Sequence, residues 1–128
     1  MTPEWKLNLP EEFNRRIEEE SLVIWKHGFT MWIAIWGNDH NKTPEQQLIP
    51  FEKERSKDAF DVLTKKRDGL AISAYRLDEN RREENRIVHS LNAHVAGKTG
   101  FVQISFYFDD VADSKLAIQI LETISETK

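Results

Sequence analysis

The chain has no cysteine in its 128 residues, which excludes a disulfide framework, a thiolate nucleophile and sulfur-ligated zinc. It also lacks any run approaching the ~20 apolar residues of a membrane span. Its opening residues, Met-Thr-Pro-Glu-Trp-Lys, contain no apolar core of signal-peptide length. A cytoplasmic protein without a membrane partner is therefore expected. A basic excess is missing too: 18 Lys and Arg stand against 22 Asp and Glu, a formal charge of −4. That is the wrong sign for a phosphate backbone, so nucleic acid is not an expected partner. Internal repeats and low-complexity tracts are absent as well.

What is present is a set of periodic apolar runs in a chain of which 31% is charged, the pattern of a globular and not a disordered protein. Residues 1–128 are expected to form one domain, large enough to bury roughly two-thirds of the unfolded surface. The strongest run, residues 22–36, reads as two strands joined at His27-Gly28. A two-residue loop there pairs Lys26 with Phe29 and Trp25 with Thr30. Leu22, Ile24, Met31, Ile33 and Ile35 then line one face, and Val23, Trp25, Thr30, Trp32, Ala34 and Trp36 the other. One face is aliphatic and the other aromatic.

Before this hairpin, Trp5, Leu7 and Leu9 alternate with polar residues as a short strand ended by Pro10. Pro10 can open a helical turn with Phe13 and Ile17 on one side. After it, Thr43-Pro44-Glu45-Gln46 carries a cap residue, Pro at the first helical position and Gln three residues after Thr, so a helix is expected to start there. Pro50 interrupts it, and a second helix over residues 56–69 would turn Ala59, Phe60, Val62 and Leu63 one way before Gly69 closes it.

From Leu70 the period changes to two: Leu70, Ile72 and Ala74 alternate with Ala71, Ser73 and Tyr75. A charged loop over residues 78–84 leads to Ile87, Leu91, Ala93 and Val95, alternating with Val88, Ser90, Asn92 and His94. A Gly-rich connection, residues 96–100, precedes a strand with Val102, Ile104, Phe106 and Phe108 on one face and Phe101, Gln103, Ser105 and Tyr107 on the other. A last helix near Asp110 presents Leu116, Ala117, Ile120, Leu121 and Ile124 as a stripe.

These elements make an α+β domain: an antiparallel β-sheet of about five or six strands with helices packed on one face and a C-terminal helix. The aliphatic face would meet the helices. The other collects Trp25, Trp32, Trp36, Tyr75, His94 and Tyr107 among small polar groups, with less Lys and Glu than a solvated sheet surface carries. In its order of elements, with the Leu-Val-Ile-Trp-Lys-His-Gly hairpin and the Phe-Asp-Asp junction before the final helix, the chain resembles the Mog1/PsbP/DcrB-like group of small domains. That resemblance implies a binding or assembly module without a common active site, and it carries no functional residue across.

Signals of chemistry are few. Residues 109–113, Asp-Asp-Val-Ala-Asp, have the spacing with which prenyl-diphosphate enzymes collect magnesium, but those enzymes are much larger and all helical. Asp110 is read instead as a helix cap, with Asp113 in the first turn. Gly97-Lys98-Thr99 ends like a phosphate loop, yet Asn92 stands where the first Gly is required and a strand follows where a helix is needed. His89 and His94 lie five apart on one strand and point to opposite faces, so they share no metal. Asp39-His40 lacks a nucleophile placed by any motif. The expectation is no catalytic residue, no metal and no cofactor.

Trp25, Trp32 and Trp36 either form an aromatic shelf or are covered by a second layer containing Trp5 and Phe13. With the shelf open, the chain is expected to be a small bacterial, non-catalytic protein-binding module using Trp25, Trp32, Trp36, Tyr75, His94 and Tyr107 to hold a protein partner or its own twin as a homodimer. The residues 81–84 would serve as a mixed-charge rim. Two alternatives remain open: a small-molecule-binding protein or enzyme with a pocket on the same face and His94 with Tyr75 or Tyr107 as anchors, and an immunity protein that neutralises a bacterial toxin.

Overall fold

In the computed structural model, residues 5–19, 21–38 and 41–126 are described, the side chains at 81 and 82 excepted. The elements run β1 (Trp5–Lys6), β2 (Asn14–Glu18), β3 (Ser21–Lys26), β4 (Phe29–Gly37), α1 (Pro44–Lys53), β5 (Phe60–Arg67), β6 (Leu70–Arg81), β7 (Arg86–Ala96), β8 (Gly100–Phe108), α2 (Ser114–Leu121) and β9 (Ser125–Glu126). Seven strands form one antiparallel sheet in the order β2-β3-β4-β8-β7-β6-β5, and β1 pairs with β9 apart from it. The fold is α+β with an antiparallel sheet and a C-terminal helix. The sheet has seven strands where five or six were expected.

The central hairpin follows its turn chemistry. Lys26 faces Phe29 and Trp25 faces Thr30, with Gly28 at φ 76°. Strand β4 then pairs along its whole length with β8, from Phe29 opposite Phe108 to Gly37 opposite Gly100. That last pair requires glycine: Gly100 sits at φ 153°, and a Cβ there would lie 1.8 Å from the Trp36 carbonyl oxygen.

Both extra strands are sheet edges that helical spacing disguised. Residues 14–18 form β2, every one of them exposed, and not a helix carrying Phe13 and Ile17. Glu18 pairs with Ser21, so two intervening residues suffice to return the chain into β3. Residues 60–67 form β5 and not the second half of a broken helix. A bulge between Phe60, opposite Arg76, and Leu63, opposite Ala74, gives inward residues an i, i+3 spacing that imitates a helix. Gly69 does not cap a helix: Asp68 and Gly69, at φ 51° and 82°, form the two-residue turn between paired Arg67 and Leu70. Pro50 does not break α1, which runs through it. Thr43 and Gln46 form the expected capping box, with Gln46 N donating to Thr43 Oγ1 at 3.2 Å and Gln46 Oε1 accepting from Thr43 N at 2.9 Å.

The two helices lie on opposite faces of the sheet, not on one. Ala117, Ile120 and Leu121 of α2 join Ile124 over the aliphatic face, against Ile33, Ile72, Ile104 and Phe106. Each fully buried large aliphatic or aromatic side chain there contributes ~1.5–3 kcal/mol by removal from water. Trp5, 2% exposed, with Leu7, Leu9 and Phe13, completes that cover. On the other face, Leu48 and Phe51 of α1 pack on Ala71, Ala96 and Phe101. The two alanines leave the depth into which the helix settles.

The C-terminal segment is tied down by Glu126. Its carboxylate accepts from Lys98 N at 2.8 Å, Thr99 N at 2.7 Å and Thr99 Oγ1 at 2.5 Å. Burial pushes this carboxyl up, and the hydrogen bonds from Thr99 and Lys98 outweigh it, so it is held below the ordinary carboxylate range.

Candidate functional site

The pairing registers align the face opposite α2 in four rows across the sheet. Trp25, Thr30, Tyr107, Ser90 and Leu77 form the first; Val23, Trp32, Ser105, Asn92 and Tyr75 the second. Ala34, Gln103, His94, Ser73 and Thr64 form the third, and Trp36, Phe101, Ala96, Ala71 and Lys66 the fourth. All six residues singled out from the sequence therefore lie on one face. They do not form one surface, because α1 covers the β6–β8 part of the third and fourth rows, leaving Trp36 beyond it on β4, and the first and second rows carry no helix.

His94 is under that cover. It is 7% exposed, and its ring stacks on Phe51 with centroids 4.0 Å apart and planes at 15°. Burial, with the Arg55 guanidinium nearby, lowers its pKa to about 4, so the imidazole is neutral at physiological pH. His94 thus packs between α1 and the sheet. Trp36 lies at the far end of the face, 52% exposed and stacked on Phe101 at 6.1 Å. Tyr75 is half-buried, with the Arg55 guanidinium 5.8 Å from its ring centre. Burial raises its hydroxyl pKa, Arg55 opposes the shift and Tyr107 adds to it. Arg55 is itself held by Ser73, donating from Nη2 to Oγ at 3.1 Å.

Trp25, Trp32 and Tyr107 stay together in the open rows. Trp32 and Tyr107 border a cleft of about 630 Å³ that Thr30, Arg16, Arg86 and Asp109 also line. The Arg16 guanidinium lies 4.8 Å above the Trp25 ring and pairs with Glu18 at 2.9 Å. Arg86 bridges Glu84 at 2.5 Å and Asp109 at 3.1 Å. Each cation at the cleft is already matched by a carboxylate, so the rim offers directed donors and acceptors with little net charge. The covering layer foreseen from Trp5 and Phe13 lies on the opposite face: Trp5 is in the α2 core, and Phe13 packs on Phe29 at 5.9 Å.

The two arginines of the cleft were not legible in the sequence, Arg16 because its strand looks helical and Arg86 because it only follows the charged segment 78–84 that reads as a solvated loop. A cluster on the α2 face was hidden as well. Arg76 is 5% exposed; its Nε donates to the Ser90 carbonyl at 3.0 Å and its Nη2 to Asp78 Oδ1 at 2.9 Å. The guanidinium lies 5.0 Å from the Phe60 ring centre and 5.1 Å from that of Phe108. Asp78 Oδ1 also lies 2.9 Å from His89 Nδ1. Continuing the alternation of Leu70, Ile72 and Ala74 for two more steps would have found Arg76 and Asp78 on that face.

His89 and His94 do point to opposite faces: His89 stacks on Phe108, and His94 on Phe51. Asp110 caps the turn before α2, its Oδ1 accepting from Ala112 N at 2.9 Å. Asp39-His40, and the side chains of Arg81 and Arg82, lie outside the described residues. Among the described residues no group of three or more His, Cys, Asp or Glu is arranged to hold a metal ion, and no helix is long and apolar enough to cross a membrane.

No family model matches the sequence, and no curated protein is significantly similar to it. Among solved structures the fold is similar to that of a Bacteroides thetaiotaomicron VPI-5482 protein determined at 1.50 Å, with a TM-score of 0.77 and 14% identity. The match covers 97% of this chain and 45% of the other, so this chain spans less than half the length of that neighbour. At that identity the likeness is one of fold alone.

Proposed function

We propose that the chain is a non-catalytic protein-binding module and that its partner seats on the half-face formed by Trp25, Trp32 and Tyr107. The observation that carries the reading is the division of the sheet face by α1. One half is packed beneath the helix, and the other keeps Trp32 and Tyr107 at a cleft of about 630 Å³ rimmed by Arg16, Arg86 and Asp109, with Trp25 paired opposite Thr30 and under the Arg16 guanidinium. Large aromatics with a polar handle, ringed by paired charges, are the composition of protein-interface centres. Membership of the Mog1/PsbP/DcrB-like group belongs to the same proposal. Its support is the order of hairpin, helical crossover, meander and C-terminal helix.

Affinity capture from the native host with the wild-type chain and with Trp32→Ala/Tyr107→Ala tests this. A protein that the wild type retains and the double variant loses supports the reading, and a toxin in that position would give the immunity form of it. Equal retention by both would place the contact elsewhere. The small-molecule reading has to reach His94 beneath Phe51.

A further inference from the structure

Among the described residues no strand pairs with the outer side of β2. Its residues, Asn-Arg-Arg-Ile-Glu, are all exposed, with Ile17 72% exposed. Only two residues separate paired Glu18 and Ser21, so these form the closing pair of the hairpin and turn their backbone groups toward each other. Antiparallel pairing alternates, so the N–H and C=O of Arg16 also face β3, while those of Arg15 and Ile17 face outward. The edge thus presents a donor and an acceptor at Ile17, flanked by Arg16 on one side and Glu18 on the other.

We propose that two copies of this chain join edge to edge through antiparallel β2 strands, with Ile17 opposite Ile17 of the second copy. That register supplies the outward backbone groups with partners. It also places Arg16 of each copy opposite Glu18 of the other, in a non-hydrogen-bonded position where side chains approach most closely. A shift of two residues in total register brings Arg16 opposite Arg16, or Glu18 opposite Glu18, so the charges select a single alignment. A shift of one would oppose residues from different faces of the sheet. The other edge, β5, has a bulge and three consecutive cations, Lys65, Lys66 and Arg67, which oppose like-with-like pairing. The two-fold axis stands perpendicular to the sheet. Both aromatic half-faces then lie on the same side of a continuous fourteen-stranded sheet, seven strands from each copy. This pairing does not depend on the protein-binding reading.

Light scattering and sedimentation equilibrium of the full chain, with Arg16→Glu and Glu18→Arg, provide the test. Wild type is expected to dimerise. Each variant alone opposes like charges at both positions and should dimerise about thirtyfold more weakly, from the sum of two reversed cross-strand pairs. In an equimolar mixture the two carboxylates on β2 of the Arg16→Glu chain face the two guanidiniums at the same positions of the Glu18→Arg chain. Opposite charges then meet at both positions, and the mixture should recover the wild-type affinity as a heterodimer. Ile17→Pro, which removes the outward N–H and leaves the bonds to β3, should abolish the dimer and serves if a charge variant fails to fold. A monomeric wild type, a dimer that survives in both charge variants, or a mixture that fails to recover although both variants fold would each overturn the proposal. Loss of a foreign partner from Trp32→Ala/Tyr107→Ala would leave it standing.

Discussion

Acidification should loosen this protein through His94 before its carboxylates titrate. The imidazole is buried against Phe51 and lies near the Arg55 guanidinium, and its pKa is lowered from 6.5 to about 4. The unfolded chain binds this proton near pH 6.5 and the folded chain only near pH 4. Between those values the unfolded state holds more protons, and stability falls as the pH falls. The contribution is complete above pH 6.5 and is lost through the interval down to about 4, where the loss reaches about 3 kcal/mol; roughly 2 kcal/mol is gone by about pH 5. Against a typical stability of ~5–15 kcal/mol that is a large fraction. Urea denaturation at about pH 7 and about pH 5 should show this drop in the wild type, and His94→Gln should show a decline shallower by about 2 kcal/mol. NMR titration of the imidazole gives the folded pKa directly. A His94 that titrates near its ordinary value, or a wild type and variant with the same dependence on pH, would refute the argument that α1 seals the ring from water.

Two further consequences concern the frame. Gly100→Ala should lose more than about 3 kcal/mol in thermal unfolding, since the methyl meets the Trp36 carbonyl with backbone on both sides. Gly69→Ala, whose Cβ meets nothing within 4 Å, should lose only the ~1–2 kcal/mol of left-handed strain. Glu126→Gln should destabilise by about 1–2 kcal/mol at neutral pH, as the charged acceptor for Lys98 N and Thr99 N disappears. Because the folded carboxyl is held low, that contribution is present above the unfolded carboxylate range and vanishes as the pH falls through the folded value, so variant and wild type should converge in acid.

The parts of the fold readable in the sequence are those where local chemistry and tertiary contact agree. The His27-Gly28 turn, the Thr43-Gln46 cap and the alternation of β8 each specify one geometry, and each is found. The edges were hidden for physical reasons. Strand β2 buries no residue of its own and so carries no apolar alternation. The bulge in β5 replaces a period of two by a step of three, although Asp68-Gly69 after it is a strong hairpin signal.

The candidate site was legible as a face and not as a surface. Alternation places Trp25, Trp32, Trp36, Tyr75, His94 and Tyr107 together, but it does not tell which rows a helix will cover. Small residues were the available sign: Ala71 and Ala96 mark where α1 sits, and His94 is drawn beneath it. Arg16 and Arg86 enter the cleft only through strand pairing, which no local pattern around them announces.

A partner seated on the rows that α1 leaves open would be seen in the indole N–H signals of the tryptophans, followed by NMR as the captured partner is added. Trp25 and Trp32 should shift or broaden together, while Trp5, sealed in the α2 core, and Trp36, beyond the helix, stay in place. Perturbation confined to Trp36, or binding that leaves both Trp25 and Trp32 unmoved, would contradict the account.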